Sequence, residues 1–271
     1  MKINDIEFNI RESGQGVPFV WGHGLTSSMA GEDALDIFRW DDFSNKIRLI
    51  RYDARGHGQT AASYVPDHYH WRALADDMTA IADALHVDRY TAGGQSMGCT
   101  TAIYAALKVP HRIQRLVLVT PPTAWESRKS MSDMYRKMAK VGALLGGKLF
   151  AKLAYQRLRN DLPDCLAGVP EEKIGSMLEG LKTIDRKTLA VLYRGAALTD
   201  LPTKEAIGAI DIPALILAWE GDPGHPVEIA AELSRLLPRS ELVVAKKYSD
   251  IEKWPRMMGA FIADPGSFTP D

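Results

Sequence analysis

Short apolar runs rich in β-branched residues recur along the 271-residue chain, each followed by Gly or Pro and then by a longer stretch with helical spacing. That alternation predicts an α/β protein. Residues 17–21, 47–52, 90–92, 116–119, 215–218 and 242–244 read as strands, and their continuous apolar character suits a mostly parallel central sheet with helices on both faces. Ile6, Phe8 and Ile10 alternate with polar residues, the pattern of an antiparallel edge strand. Leu74, Met78, Ile81 and Leu85 fall at helical intervals, and residues 100–107, 228–237 and 253–262 also predict helices.

One stretch breaks the rhythm. From Thr123 to about Leu201 the pattern is helical throughout, interrupted by Gly146-Gly147, Pro163 and Pro170. A helical insertion at that place would roof one edge of the sheet. The expected organisation is a core of residues 1–122 and 202–271, with residues 123–201 as a helical cap.

Composition narrows the class. With 46% hydrophobic and 25% charged residues and a net charge of -1, the chain is that of an ordinary globular protein, which excludes wholesale disorder and a broadly basic nucleic-acid binder. Cys99 and Cys165 are too few for a disulfide framework. The first residues lack the apolar stretch of a secretory signal, and no run of about 18 apolar residues occurs. A cytoplasmic protein without stable membrane insertion is therefore expected.

The chemistry is concentrated in Gly94-Gln95-Ser96-Met97-Gly98, a G-x-S-x-G turn between a short apolar strand and a helix of small residues. Such a turn strains the serine backbone and holds its Oγ above the sheet edge, with glycines where a Cβ would clash. Ser96 is thus a candidate nucleophile. His23-Gly24-Leu25 follows an earlier strand, where the Leu25 N–H is expected to converge with that of Met97 on one point and form an oxyanion hole.

In order along the chain come Trp21-Gly22-His23-Gly24, Arg51-Tyr52-Asp53-Ala54-Arg55-Gly56-His57-Gly58, Gly94 to Gly98, and Leu217-Ala218-Trp219-Glu220-Gly221-Asp222-Pro223. This succession resembles the α/β-hydrolase superfamily, in its branch of esterases, enol-lactonases and cofactor-free haloperoxidases. The resemblance implies the α/β-hydrolase fold with the cap inserted after the sixth strand, Ser96 as nucleophile, Asp222 as triad acid, Leu25 and Met97 as oxyanion donors, and no cofactor. A serine at the elbow disfavours the branches that use an aspartate nucleophile there.

The superfamily's last element, a histidine after the final strand, has no counterpart. Residues 244–255 hold none, and the seven histidines end at His225. His225 lies three residues beyond Asp222, in a loop expected at the carboxyl edge of the sheet, where ligand and catalytic groups gather. It reads either as the general base, polarised by Asp222, or as a loop residue packed between Pro223 and Pro226. Lys246, Lys247 and Tyr248 stand near the vacated place as solvated side chains or substitute bases. His57 reads as structural. His68 and His70 read as a surface cluster. The histidine spacings suggest no metal site.

Arg128 to Arg159 contains nine basic residues and one acidic, a net of +8, so a chain of total charge -1 carries -9 elsewhere. A solvated basic face and attraction of an anionic substrate both fit this contrast. Met131, Met134, Tyr135 and Met138 recur at helical spacing; on the inner face of a cap they would roof a pocket for an apolar acyl chain or aromatic ring. His23, Gly24, Trp125, Met134 and Met138 are expected to meet the substrate, a small molecule. The function expected is a serine hydrolase of carboxylic esters or lactones. Cofactor-free lyase or oxygenase chemistry, or a non-catalytic small-ligand receptor, are the alternatives opened by the absent histidine. The sequence assigns no oligomeric state.

Overall fold

The computed structural model describes residues 1–43, 46–160, 162–176 and 178–263. The strands are β1 (Lys2–Ile3), β2 (Ile6–Glu7), β3 (Ile10–Ser13), β4 (Val17–Gly22), β5 (Ile47–Tyr52), β6 (Tyr90–Gln95), β7 (Ile113–Val119), β8 (Ala214–Trp219) and β9 (Ser240–Ala245). Seven of them form one sheet in the order β3-β5-β4-β6-β7-β8-β9. Strands β4 to β9 run parallel, and β3 pairs antiparallel with β5. The chain thus has the α/β hydrolase fold, a mostly parallel sheet with a helical insert.

The single edge strand expected from Ile6, Phe8 and Ile10 is divided. Asn4 and Asp5, at φ 47° and 64°, turn β1 back on β2 as a separate two-stranded ribbon, and Ile10 opens the edge strand β3.

Strand periodicity explains why unbroken apolar runs serve here. On β7, Leu116 and Leu118 point into one core while Val117 and Val119 point into the other; on β8, Ala214 and Ile216 oppose Leu215 and Leu217 in the same way. The first core is closed by α2 (Trp71–Ala84), α3 (Met97–Lys108) and α10 (Val227–Leu236), and the second by α1 (Met29–Leu35) and α12 (Trp254–Ala263).

Between β7 and β8 the described segment is helical: α4 (Arg128–Leu145), α5 (Gly147–Asn160), α6 (Glu171–Ser176), α7 (Glu179–Thr183) and α8 (Arg186–Ala197), followed by α9 (Lys204–Gly208). The insert follows β7, which is the fifth strand of the seven-stranded sheet in chain order and not the sixth that was expected. The insert has its own apolar cluster, including Ala139, Phe150, Leu189, Leu192 and Tyr193. A Cβ on Gly142 would stand 2.8 Å from Leu189, so α4 lies close against α8 because residue 142 has no side chain. Of the insert's basic residues, the side chains of Arg157 and Arg159 lie outside the described residues.

The Arg51 to Gly58 segment that carries part of the family resemblance is scaffolding. Asp53 accepts from the Met29 and Gln59 N–H groups and from Asn9 Nδ2 at 2.8–3.0 Å. Arg55 clasps Asp77 with two hydrogen bonds of 2.7 and 2.5 Å. His57, fully buried, donates from Nδ1 to the Arg55 carbonyl at 2.9 Å.

Candidate active site

The parallel strands end on one edge of the sheet, and every sequence-predicted centre follows such an end. Gly22 of β4 is in register with Gly94 of β6, which brings the loop after β4 beside the turn after β6. Ser96 occupies that turn at φ 52°, ψ -105°, a left-handed backbone that a non-glycine residue rarely adopts. Two close approaches hold it there. A Cβ at Gly94 would lie 2.3 Å from the Gly98 backbone, and one at Gly98 would lie 1.9 Å from the Gly22 carbonyl oxygen. The motif's glycines are therefore needed for packing, as the strained elbow requires.

From the β8 end, the loop of residues 220–226 returns over this turn. His225 Nε2 stands 2.8 Å from Ser96 Oγ, and Nδ1 stands 2.7 Å from Asp222 Oδ2. A carboxylate only accepts, so Nδ1 carries the hydrogen and Nε2 is left as the acceptor for the Ser96 hydroxyl. Asp222 is fixed in turn by Trp219 Nε1 at 3.0 Å on Oδ2 and by the Gly224 N–H at 2.8 Å on Oδ1. Burial alone would raise its pKa; the bond and charge of His225, with the Trp219 and Gly224 donors, outweigh that and hold the carboxyl well below the usual range.

Met97 N–H is the first of α3 and has no acceptor within the helix. Gly24 packs against the elbow, with a Cβ placed there 3.7 Å from that of Ser96, so Leu25 follows directly beside the Ser96 turn. After β9, Lys246 pairs with Glu220 at 3.6 Å, and α11 (Tyr248–Ile251) follows, whose Asp250 accepts from the Lys246 N–H.

A cavity of about 510 Å³ adjoins the site, lined by Met131, Met134, Met138 and Tyr193 of the insert above and by Asp222 to Gly224 below. Met134 and Met138 are both on its wall.

Two expected contacts are corrected. His23 is 1% exposed; its Nδ1–H donates to the Gly24 carbonyl at 2.8 Å and its Nε2 accepts from Ala54 N–H at 3.0 Å, so neither nitrogen is free for a ligand. Trp125 turns away: its Nε1 donates to the Pro202 carbonyl at 3.0 Å, and its ring carries Lys204 Nζ 5.0 Å from its centre. Sequence reading missed Trp219 as a donor to Asp222; its place three residues before the acid was the available signal. Among the described residues there is no group of three or more His, Cys, Asp or Glu placed to hold a metal, and no helix is long and apolar enough to cross a membrane.

A strained serine elbow on a mostly parallel sheet, with a histidine and an aspartate on the loop above it, defines a class. Residues 18–251 match the alpha/beta hydrolase fold family, and the chain belongs to it. It is 42% identical to the N-formylmaleamate deformylase of Pseudomonas putida, over 78% of this chain and 75% of that one. To the 2-(acetamidomethylene)succinate hydrolase of Mesorhizobium japonicum it is 28% identical, over 89% of this chain and 84% of the other. Among solved structures, the enol-lactonase of Burkholderia xenovorans superposes with a TM-score of 0.78 at 20% identity, covering 97% of this chain and 98% of its own.

Proposed function

We propose that the protein is a serine hydrolase of small carboxylic esters or lactones. The observation that carries this reading is the unbroken relay Ser96 Oγ, His225, Asp222, with steps of 2.8 and 2.7 Å. Serine near its ordinary pKa is a weak nucleophile and needs a base within about 3.2 Å. In this mechanism Ser96 Oγ attacks the acyl carbon as His225 Nε2 takes its proton. Asp222 keeps the other ring nitrogen protonated and stabilises the imidazolium that forms. The Met97 and Leu25 N–H groups receive the charge developing on the carbonyl oxygen. His225 then protonates the leaving oxygen, and in the second half it draws a proton from water, which attacks the acyl-enzyme and releases the carboxylic acid with Ser96 restored.

The methionines of the insert, as a cap over the cavity, suit a compact apolar acyl or aromatic body. Lyase or oxygenase chemistry and a receptor role were attractive only while a base was wanting, and the relay supports hydrolysis over both. A second bond type is favoured by one observation. The deformylase and the acetamidomethylene hydrolase are named for N-acyl substrates, and the same relay cleaves an activated amide if His225 protonates the leaving nitrogen.

A fluorophosphonate probe tests the reading. Stoichiometric labelling that maps to Ser96 and vanishes in Ser96→Ala is expected; an unlabelled parent protein overturns it. Turnover of 4-nitrophenyl esters, γ-lactones and N-formyl amides then ranks the bond classes.

A further inference from the structure

The end of the insert's first helical hairpin, where α4 meets α5, presents apolar side chains to solvent. Leu144 is 73% exposed, Leu149 54%, Leu153 50% and Val141 37%, and these are four of the eight large hydrophobic residues exposed among the described residues. A contiguous apolar face of this kind marks a contact surface on a folded protein. Contiguity follows from helical spacing and from the cavity between the helices. Leu144 lies one turn after Val141 on α4, and Leu149 one turn before Leu153 on α5, so each pair shares a helix face. Val141 and Leu153 both line the cavity, one from each helix, so the two faces meet at its rim.

The charges around this face have one sign. Residues 134–160 contain no Asp or Glu. Lys137, Lys140, Lys148 and Lys152 are exposed and form no ion pair among the described residues, whereas Arg136 is already paired with Asp133 at 2.6 Å. Lys148 and Lys152 stand one position before Leu149 and Leu153, so on α5 a row of lysines runs alongside the row of leucines. The acids of adjoining elements are engaged. Glu179 of α7, which packs on α5, pairs with Lys182, and Asp185 caps α8 by accepting from the Lys187 and Thr188 N–H groups.

Two occupants of such a face give opposite balances. A second copy docked about a two-fold axis would set these lysines against their own equivalents, with no acid in the patch to pair with them. An anionic bilayer supplies both complements at once: acidic headgroups for the ammonium groups, which reach out along their stems, and an acyl boundary for the leucines. The charge elsewhere orients the molecule in the same sense, since the net +8 of residues 128–159 opposes -9 on the rest of the chain.

We propose that the tip of the α4–α5 hairpin docks on the surface of anionic lipid bilayers, with Leu144 and Leu149 in the acyl boundary and Lys148 and Lys152 among the headgroups. The contact is peripheral, since no helix among the described residues is long and apolar enough to cross a membrane. Docking in this pose sets the cavity rim at Val141 and Leu153 against the bilayer, so an apolar compound dissolved there reaches the methionine wall without crossing water. The docking is independent of the hydrolase reading and is measured without turnover; only the use of such a compound as a substrate rests on that reading.

Vesicle sedimentation provides the test, with vesicles of phosphatidylcholine alone and of phosphatidylcholine with an equal part of phosphatidylglycerol. The parent is expected to sediment with the anionic vesicles at low salt and to stay in solution with the neutral ones. Lys148→Gln/Lys152→Gln weakens partitioning about 30-fold, as roughly 5-fold per lysine at an anionic leaflet implies. Leu144→Ser/Leu149→Ser weakens it about 10-fold or more. All four side chains are exposed, so both variants keep the fold, which matched circular dichroism spectra and urea midpoints verify. No sedimentation of the parent with anionic vesicles, equal sedimentation with both kinds, or either variant sedimenting like the parent overturns the proposal. So does a parent that is dimeric without lipid and becomes monomeric in Leu144→Ser/Leu149→Ser, which assigns the face to a second copy.

Discussion

His225 Nδ1 lies 2.7 Å from Oδ2 of Asp222, a residue only three positions earlier in the same loop. The two side chains are held by one short stretch of backbone, closed by the Gly224 N–H on Asp222 Oδ1 and the His225 N–H on the Asp222 carbonyl at 3.1 Å. Acid and base therefore move together, and their register with Ser96 depends on how this loop sits over the elbow.

The first consequence concerns the base. In esterase assays His225→Ala is expected to lower kcat by about 10⁴-fold or more, and Asp222→Asn by on the order of 10⁴, because the amide favours the wrong histidine tautomer. Lys246→Ala and Tyr248→Phe should leave turnover within a few-fold. A His225→Ala enzyme within a few-fold of the parent would remove His225 from the mechanism.

Trp219 offers a subtler handle on the same acid. Its indole donates to Asp222 Oδ2 at 3.0 Å and stacks on Trp254, 5.8 Å between ring centres. Trp219→Phe keeps the stack and deletes one donor to a charged oxygen, a contribution of about 1.5–3 kcal/mol to the ionised form. The carboxyl pKa then rises toward its ordinary value. At neutral pH kcat in esterase assays should fall, but by much less than in Asp222→Asn, because the carboxylate stays ionised and keeps its bond to His225. A kcat equal to the parent's would mean that the indole does not support Asp222.

The strained elbow makes a prediction about stability. Gly98→Ala places a Cβ 1.9 Å from a backbone carbonyl oxygen that β4 cannot withdraw without breaking its register with β5 and β6. The clash is with backbone at both ends, so a rotamer change gives no relief. Urea titration should show a loss of about 3 kcal/mol or more, or no folded protein. Ser96→Ala relieves nothing at Gly98 and should leave stability unchanged or slightly raised.

Legibility in the sequence followed the range of the interactions. Strands buried on both faces, the elbow and the helical insert are written locally, in apolar runs, glycine spacing and helical period. Asp222 comes from the family resemblance, and His225, three residues on, stays open in the sequence between a general base and a loop residue. Their distance from Ser96, 129 positions back from His225, is a product of strand order and is not encoded near either residue. His23 and Trp125 were misassigned for the same reason: their ring nitrogens are satisfied by the backbone of Gly24, Ala54 and Pro202, and no local pattern announces a carbonyl or N–H that tertiary structure delivers. The split at Asn4-Asp5 shows the opposite case, in which local turn-forming residues overrode an apparent alternation.

His57 is fully buried, its ring 5.1 Å from that of His23, and its Nε2 has no partner. Burial first, and then the neighbouring His23, push its pKa down to about 3, against bonds to the Arg55 and Ala54 backbone and the charge of Asp53. The unfolded chain binds a proton at this residue below about pH 6.5, whereas the folded protein does so only near pH 3. Between those values the unfolded state holds more protons, so stability rises with pH there and is lost as the solution is acidified from about 6.5 toward 3. The contribution, present in full above about pH 6.5, amounts to several kcal/mol. His57→Asn retains a donor for the Arg55 carbonyl while removing the titrating group. Urea unfolding at a series of pH values should therefore give a shallower loss between pH 6.5 and 4 for His57→Asn than for the parent. Parallel curves for the two proteins would mean that His57 does not couple folding to pH.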